Sequence, residues 1–198
     1  ESMKKYGIDM SADEAYAYEG MRGVETIQLI VKQQLGRDIS EEEAESMYEE
    51  KARVFGTRPK AQIMEGVKRL MAEMKAEEKK ILVVTGSGQH NLLDKLAIDF
   101  KEFITPDMIV SSFDVSHGKP SPEPYLKGLA KAGVQPWEGV VVENAPLGVR
   151  AGVAARVFTI AVNTGPLPDS ALSNEGASLV FPRMTELADE WDEIMRSL

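Results

Sequence analysis

The chain has 198 residues, 43% of them hydrophobic and 28% charged, with a formal net charge of −9. That is enough apolar material for a core and too little bias for a disordered or fibrous protein. No apolar run nears the ~20 residues of a membrane span, and the absence of cysteine excludes disulfides, thiolate metal sites and cysteine nucleophiles. The opening Glu1-Ser2-Met3-Lys4-Lys5 lacks the basic-then-apolar pattern of a secretory signal. A reducing, cytoplasmic setting is the expectation. Acidic residues crowd the first part, where residues 1–57 hold 7 Lys/Arg against 13 Asp/Glu. The run Glu41-Glu42-Glu43-Ala44-Glu45 reads as a solvated helix face. No basic stripe of the kind that neutralises phosphates is visible, so neither nucleic acid nor a membrane is an expected partner.

In chain order, the first ~57 residues read as helices. Ser11-Ala12-Asp13-Glu14 and Ser40-Glu41-Glu42-Glu43 both fit the capping box, in which Ser and Glu satisfy each other's orphan backbone donors. Between them Ile27, Ile30, Val31 and Leu35 share one helical face, which Gly36 ends. Beyond Pro59 the pattern changes. Val67, Leu70, Met71 and Met74 mark an amphipathic helix over about 66–78, followed by the apolar run Ile81-Leu82-Val83-Val84. Similar runs are Met108-Ile109-Val110, Val140-Val141-Val142, Phe158 to Val162 and, more weakly, Ser178 to Phe181. Helical stretches separate most of them, the clearest opening at Ser121-Pro122-Glu123 with Ser121 as the expected N-cap. Apolar runs alternating with helices predict a doubly wound parallel sheet covered on both faces, after a helical module.

In such sheets ligands bind beyond the carboxyl ends of the strands. Three of those exits carry chemistry. Thr85-Gly86-Ser87-Gly88 offers a hydroxyl and bare N–H groups to an anion, or is a flexible turn. Two prolines brace the segment Ser116-His117-Gly118-Lys119-Pro120-Ser121-Pro122, so the ammonium of Lys119 is a candidate phosphoryl ligand on a stiff loop, or Lys119 is an exposed lysine in a proline-rich turn. His117 reads as an ordinary loop histidine. Glu143-Asn144 supplies hard oxygen ligands of the kind Mg²⁺ takes, or is a strand end with a turn residue. Thr85, Lys119 and Glu143 follow at intervals of about one strand–helix unit, which gathers them at one sheet edge.

These stretches resemble known motifs. Thr85-Gly86-Ser87, Gly118-Lys119-Pro120-Ser121-Pro122-Glu123-Pro124-Tyr125 and Glu143-Asn144-Ala145-Pro146-Leu147-Gly148 are similar to the second, third and fourth motifs of the haloacid dehalogenase superfamily. The nearest group is the β-phosphoglucomutase/phosphoglycolate phosphatase subfamily. The resemblance implies a Rossmann-like α/β core over 59–198, which Met64-Glu65-Gly66-Val67 enters, and a helical cap over 1–58. It implies that Thr85, with the N–H groups of Gly86 and Ser87, holds the transferring phosphoryl group, and that Lys119 balances its charge. Glu143 and Asn144 would hold Mg²⁺, and Gly20-Met21-Arg22-Gly23 would reach over the site, with Arg22 reading the substrate. The implied activity is Mg²⁺-dependent phosphoryl transfer from a small phosphorylated metabolite through an aspartyl-phosphate, as a phosphatase or a sugar-phosphate mutase.

Two departures stand out. Asn144 occupies a position where the family usually has Asp, which keeps a carbonyl oxygen and loses a charge. The family's first motif, a strand ending in Asp-x-Asp-Gly that supplies the nucleophile, has no counterpart among the 198 residues. Asp94 and Asp99 fall in or after a helix, and Asp114 is not part of an Asp-x-Asp pair. The missing strand would lie centrally, between those ending at Thr85 and Glu143. The expectation is a longer protein whose nucleophile precedes residue 1, the chain as it stands being inactive. The competing reading is a phosphate-binding or interaction module that kept the scaffold.

Overall fold

The computed structural model describes residues 2–59 and 62–198; Glu1, and Lys60 and Ala61 near the expected cap–core junction, lie outside them. The chain opens with helices α1 (Ala12–Ala17), α2 (Gly23–Leu35) and α3 (Glu41–Gly56). At α1 the capping box is complete, the Glu14 N–H donating to Ser11 Oγ and the Ser11 N–H to the Glu14 carboxylate. At α3 only half of the expected box forms. Ser40 Oγ accepts the Glu43 N–H at 3.1 Å, but the Glu43 carboxylate takes both arms of the Arg37 guanidinium instead. A forked, charged donor outcompetes a single backbone N–H. Ser40→Ala should therefore cost about 1 kcal/mol, seen as a lower urea midpoint at unchanged slope. The apolar faces of α2 and α3 close on a core of their own, Ile27, Ile30, Val31, Ala44 and Met47, joined by Ile8. Gly36 ends α2 in the left-handed region at φ 68°.

The remainder alternates as expected: α4 (Val67–Ala76), β1 (Val83–Val84), α5 (His90–Asp99), β2 (Ile109–Val110), α6 (Glu123–Ala132), β3 (Val140–Glu143), α7 (Pro146–Ala154), β4 (Phe158–Val162), α8 (Ser170–Ser173), β5 (Leu179–Phe181) and α9 (Met184–Ser197). Every strand pair is parallel. The period of two splits the strand residues between two helical layers. Ile160 and Val162 pack under Leu70 of α4 and Leu187, Trp191 and Ile194 of α9. Val141 packs against Tyr125 of α6 and Ala151 of α7. The start of α6 differs from expectation: its N-cap is Pro122, one residue beyond Ser121, whose Oγ still accepts the Glu123 N–H at 3.2 Å. The Glu123 carboxylate turns back to the N–H groups of Ser116 and His117, a loop clamp rather than a helix cap.

The five strands among the described residues do not form one sheet. β1 pairs only with β2, while β3, β4 and β5 form a second sheet. The free edges of β1 and β3 face each other across a cavity of about 480 Å³. Leu82 and Val84 line one edge of it, Val140 to Glu143 the other, Met74 and Trp191 one face and Tyr125 and Leu129 the opposite face. Val142 is consequently 36% exposed, and the buried Trp191 indole N–H has no partner among the described residues. The slot lies where the central strand is expected. No helix among the described residues is long and apolar enough to cross a membrane.

Candidate active site

Because the strands are parallel, their carboxyl ends share one edge, and that edge closes the slot. The Thr85 N–H extends the ladder to the Val110 carbonyl at 2.8 Å, which fixes where the first loop begins. Ser87 donates its N–H to Thr85 Oγ1 at 3.1 Å and Gly88 its own to the Tyr48 hydroxyl, so among the described residues the Thr85 and Ser87 hydroxyl protons and the Gly86 N–H are the loop's donors left for a ligand. Gly86 has a steric reason to be glycine, since a Cβ there would overlap the Gly20 and Met21 carbonyl oxygens of the cap.

Lys119 is only 4% exposed, not a surface lysine. Its ammonium donates to the Val84 carbonyl of β1 at 3.1 Å and to the Glu143 carboxylate of β3, so one cation spans the end of the slot. The same ammonium lies 5.0 Å over the Tyr125 ring. Glu143 is 9% exposed and saturated. One carboxylate oxygen accepts from Lys119 and from the Tyr125 hydroxyl; the other faces the N–H groups of Asn144 at 3.0 Å and Ala145 at 3.4 Å. Burial pushes the Glu143 carboxyl up, but the Lys119 ammonium, the Tyr125 hydroxyl and the Asn144 N–H outweigh it and hold the pKa below the ordinary carboxylate value. Burial, then the Glu143 charge, drives the Tyr125 phenol well above its usual value, so it stays protonated and donating.

The residues present do not make a magnesium site by themselves. Mg²⁺ wants an octahedron of hard oxygens with free lone pairs. Both Glu143 oxygens are already occupied by protons. The Asn144 amide donates to the Tyr16 hydroxyl and to Thr164 Oγ1, each at 3.2 Å. No group of three or more His, Asp or Glu among the described residues is placed to hold a metal. Of the ligand pair implied by the resemblance, Glu143 is thus filled, while Asn144 is neutral and its amide hydrogens are taken, so that its side-chain carbonyl oxygen is what the pair offers a metal.

From the cap, Gly20 (φ 93°) rests on the Lys119 side chain, where a Cβ would meet Lys119 Cδ at 3.0 Å. Arg22 lies one loop further along the seam. It donates to the Ser116 carbonyl at 2.8 Å, beside the Glu25 carboxylate at 3.8 Å, and its Nε is buried without a partner among the described residues. Glu25 in turn accepts the Gly118 N–H at 3.0 Å. Thr85, Gly86, Ser87, Lys119, Glu143, Asn144 and Gly20 come together, and Arg22 braces the lysine loop from the outside. Asp94 lies within α5, Asp99 pairs with Lys95, and Asp114 accepts from Ser111, so the alternative aspartates are engaged elsewhere.

Three site residues escaped the sequence reading. Tyr125 was legible as an aromatic whose polar tip needs a partner on a buried helix face. Tyr16 reaches Asn144 across 128 positions, which no local pattern signals. Although Glu19 as a residue is exposed, its carboxyl lies against the seam. That partial burial pushes its pKa up, while the Asn144 amide and the Lys119 charge pull it back.

Comparison with known proteins agrees with this architecture. A family model for haloacid dehalogenase-like hydrolases matches residues 1–162. The solved structure of a putative β-phosphoglucomutase from Bacteroides vulgatus is 45% identical, with a TM-score of 0.94, and the match covers 100% of this chain and 80% of that one. Hexitol phosphatase A of Escherichia coli K12 is 48% identical over 58 residues, 29% of this chain and 27% of that protein. A phosphorylated carbohydrates phosphatase of Thermotoga maritima is 28% identical over 160 residues, 80% of this chain and 72% of that protein. The chain spans half or less of the length of the first curated relatives it matches. With a family match over most of its length, a parallel α/β core and the three loaded strand ends, the chain belongs to the haloacid dehalogenase-like hydrolases.

Proposed function

We propose that this protein transfers a phosphoryl group from a small phosphorylated carbohydrate or polyol, acting as a phosphatase. The observation that carries the reading is Lys119. A buried ammonium anchored to both edges of a strand-wide slot, beside the free donors of Thr85 and Gly86, is preorganised for an anion arriving at the slot's end. Relatives named for hexitol phosphates and phosphorylated carbohydrates support the substrate class.

The nucleophile in this reading is an aspartate carried by a strand seated between β1 and β3. Its carboxylate oxygen attacks phosphorus, the ester P–O bond breaks, and the leaving alkoxide takes a proton from the second carboxyl of an Asp-x-Asp pair; that carboxylate then takes a proton from the water that attacks the aspartyl-phosphate, releasing phosphate and restoring the nucleophile. Thr85 and the Gly86 N–H hold the phosphoryl oxygens in line, while Lys119 offsets charge that would otherwise build against Glu143. Cap closure excludes bulk water. Magnesium dependence belongs to the proposal, with ligands that Glu143 and Asn144 alone do not supply. A cytoplasmic setting and the absence of nucleic-acid and membrane partners complete it.

The 45% identity to a structure described as a putative β-phosphoglucomutase favours a second reading, in which a sugar hydroxyl replaces water as acceptor. Phosphate release from hexitol and hexose phosphates by the native protein with Mg²⁺ tests the proposal. Release at turnover rates is the expected result. Isomerisation of a hexose phosphate without net phosphate release would move the assignment to a mutase. If neither occurs, the enzyme reading fails and a phosphate-binding module remains.

A further inference from the structure

The Tyr16 hydroxyl donates to the Asn144 backbone carbonyl at 2.6 Å, and the Asn144 side-chain amide donates back to the Tyr16 oxygen and across to Thr164 Oγ1, each at 3.2 Å. The Tyr16 ring lies flat in the space a side chain at residue 165 would fill: a Cβ on Gly165 would overlap the ring. These contacts join the first cap helix to the loops after β3 and β4. α1 is six residues long and buries none of them completely, so its six residues alone do not hold it to the core. We propose that Asn144 is the anchor of the cap: its amide hydrogens hold Tyr16, and with it α1, closed over the carboxyl end of β3.

The choice of amide over acid follows from donor counting. The single Tyr16 proton goes to the Asn144 carbonyl, so the phenol oxygen and Thr164 Oγ1 both take hydrogens from the Asn144 amide. An ionised aspartate has none to give. The departure at residue 144 is thereby explained by what the cap needs there. The inference depends only on the seam geometry, and its test does not require turnover.

Hydrogen–deuterium exchange of the native protein, Tyr16→Phe and Asn144→Asp decides it, with Mg²⁺ alone as a titrant in parallel. Tyr16→Phe keeps the ring on Gly165 and removes only the hydroxyl. Both variants are expected to speed exchange over residues 12–23 about tenfold, while α7 and α9 exchange as in the native protein. Unchanged exchange over residues 12–23 in both variants would overturn the anchor. So would tighter Mg²⁺ binding by Asn144→Asp with an unloosened cap, which would assign residue 144 to the metal.

Discussion

Replacing Lys119 by methionine is expected to slow phosphate release by the native protein by at least on the order of 100-fold and to cost the fold about 3–5 kcal/mol. Methionine keeps much of the stem volume and removes the charge. The activity loss follows because no other cation reaches both the Val84 carbonyl and the Glu143 carboxylate among the described residues. The stability loss follows because Glu143 would stay buried with its principal counter-charge gone. The pH dependence gives the sign. With a pKa held below the ordinary carboxylate value of 4.5, the Glu143 contribution is complete above that value and disappears as pH falls through the lowered one. In Lys119→Met burial acts with less opposition and the Glu143 pKa rises. The stability gap between native and variant should therefore narrow as pH drops from 7 towards 4. A gap that stays constant in urea titrations across that range would rule out the uncompensated carboxylate as its cause.

Gly148→Ala should be nearly as damaging, at about 3 kcal/mol, although it alters no charge and no hydrogen-bonding group. Gly148 lies in the first turn of α7 directly against Glu143, and a Cβ there would occupy the carboxyl group itself. A long side chain can often swing away from such a clash. Glu143 is tied by Lys119, Tyr125 and two backbone N–H groups, so yielding means breaking that set or shifting α7. Gly152→Ala, one turn on, meets Thr159 and Val141 instead and serves as a control for crowding against β3 and β4 alone. Loss of phosphate release in Gly148→Ala but not in Gly152→Ala would place the damage at Glu143. Equal losses in both would trace it to the helix packing.

Much of this was readable from residue order, for a definite reason. In a parallel sheet the burial of both faces makes strands into continuous apolar runs, and parallel direction sends every carboxyl end to one edge. Ile81 to Val84, Val140 to Val142 and Phe158 to Val162 therefore marked both the elements and the places where chemistry gathers. The gap between β1 and β3 was also foreseeable, since an apolar strand ending in an Asp-x-Asp pair has no candidate in the chain. What local pattern could not show is how the N-terminal helices sit. Tyr16 with Asn144, Arg22 with the Ser116 carbonyl and Tyr48 with the Gly88 N–H join residues 40 to 128 positions apart, with no periodicity linking them. Competition for donors was equally hidden. Glu43 and Glu123 each had a helix N-terminus nearby, yet one went to Arg37 and the other to the Ser116–His117 backbone.

In the proposed reaction, phosphoryl transfer takes place at the end of the slot between β1 and β3, on an aspartate seated there. Rapid acid quench of the native protein during turnover of a radiolabelled hexitol phosphate, followed by peptide mapping, addresses it most directly. The expected result is an acid-stable, hydroxylamine-labile phosphoryl label on an aspartate. Turnover without any protein-bound phosphoryl group, or a label on a residue remote from Lys119, would contradict it.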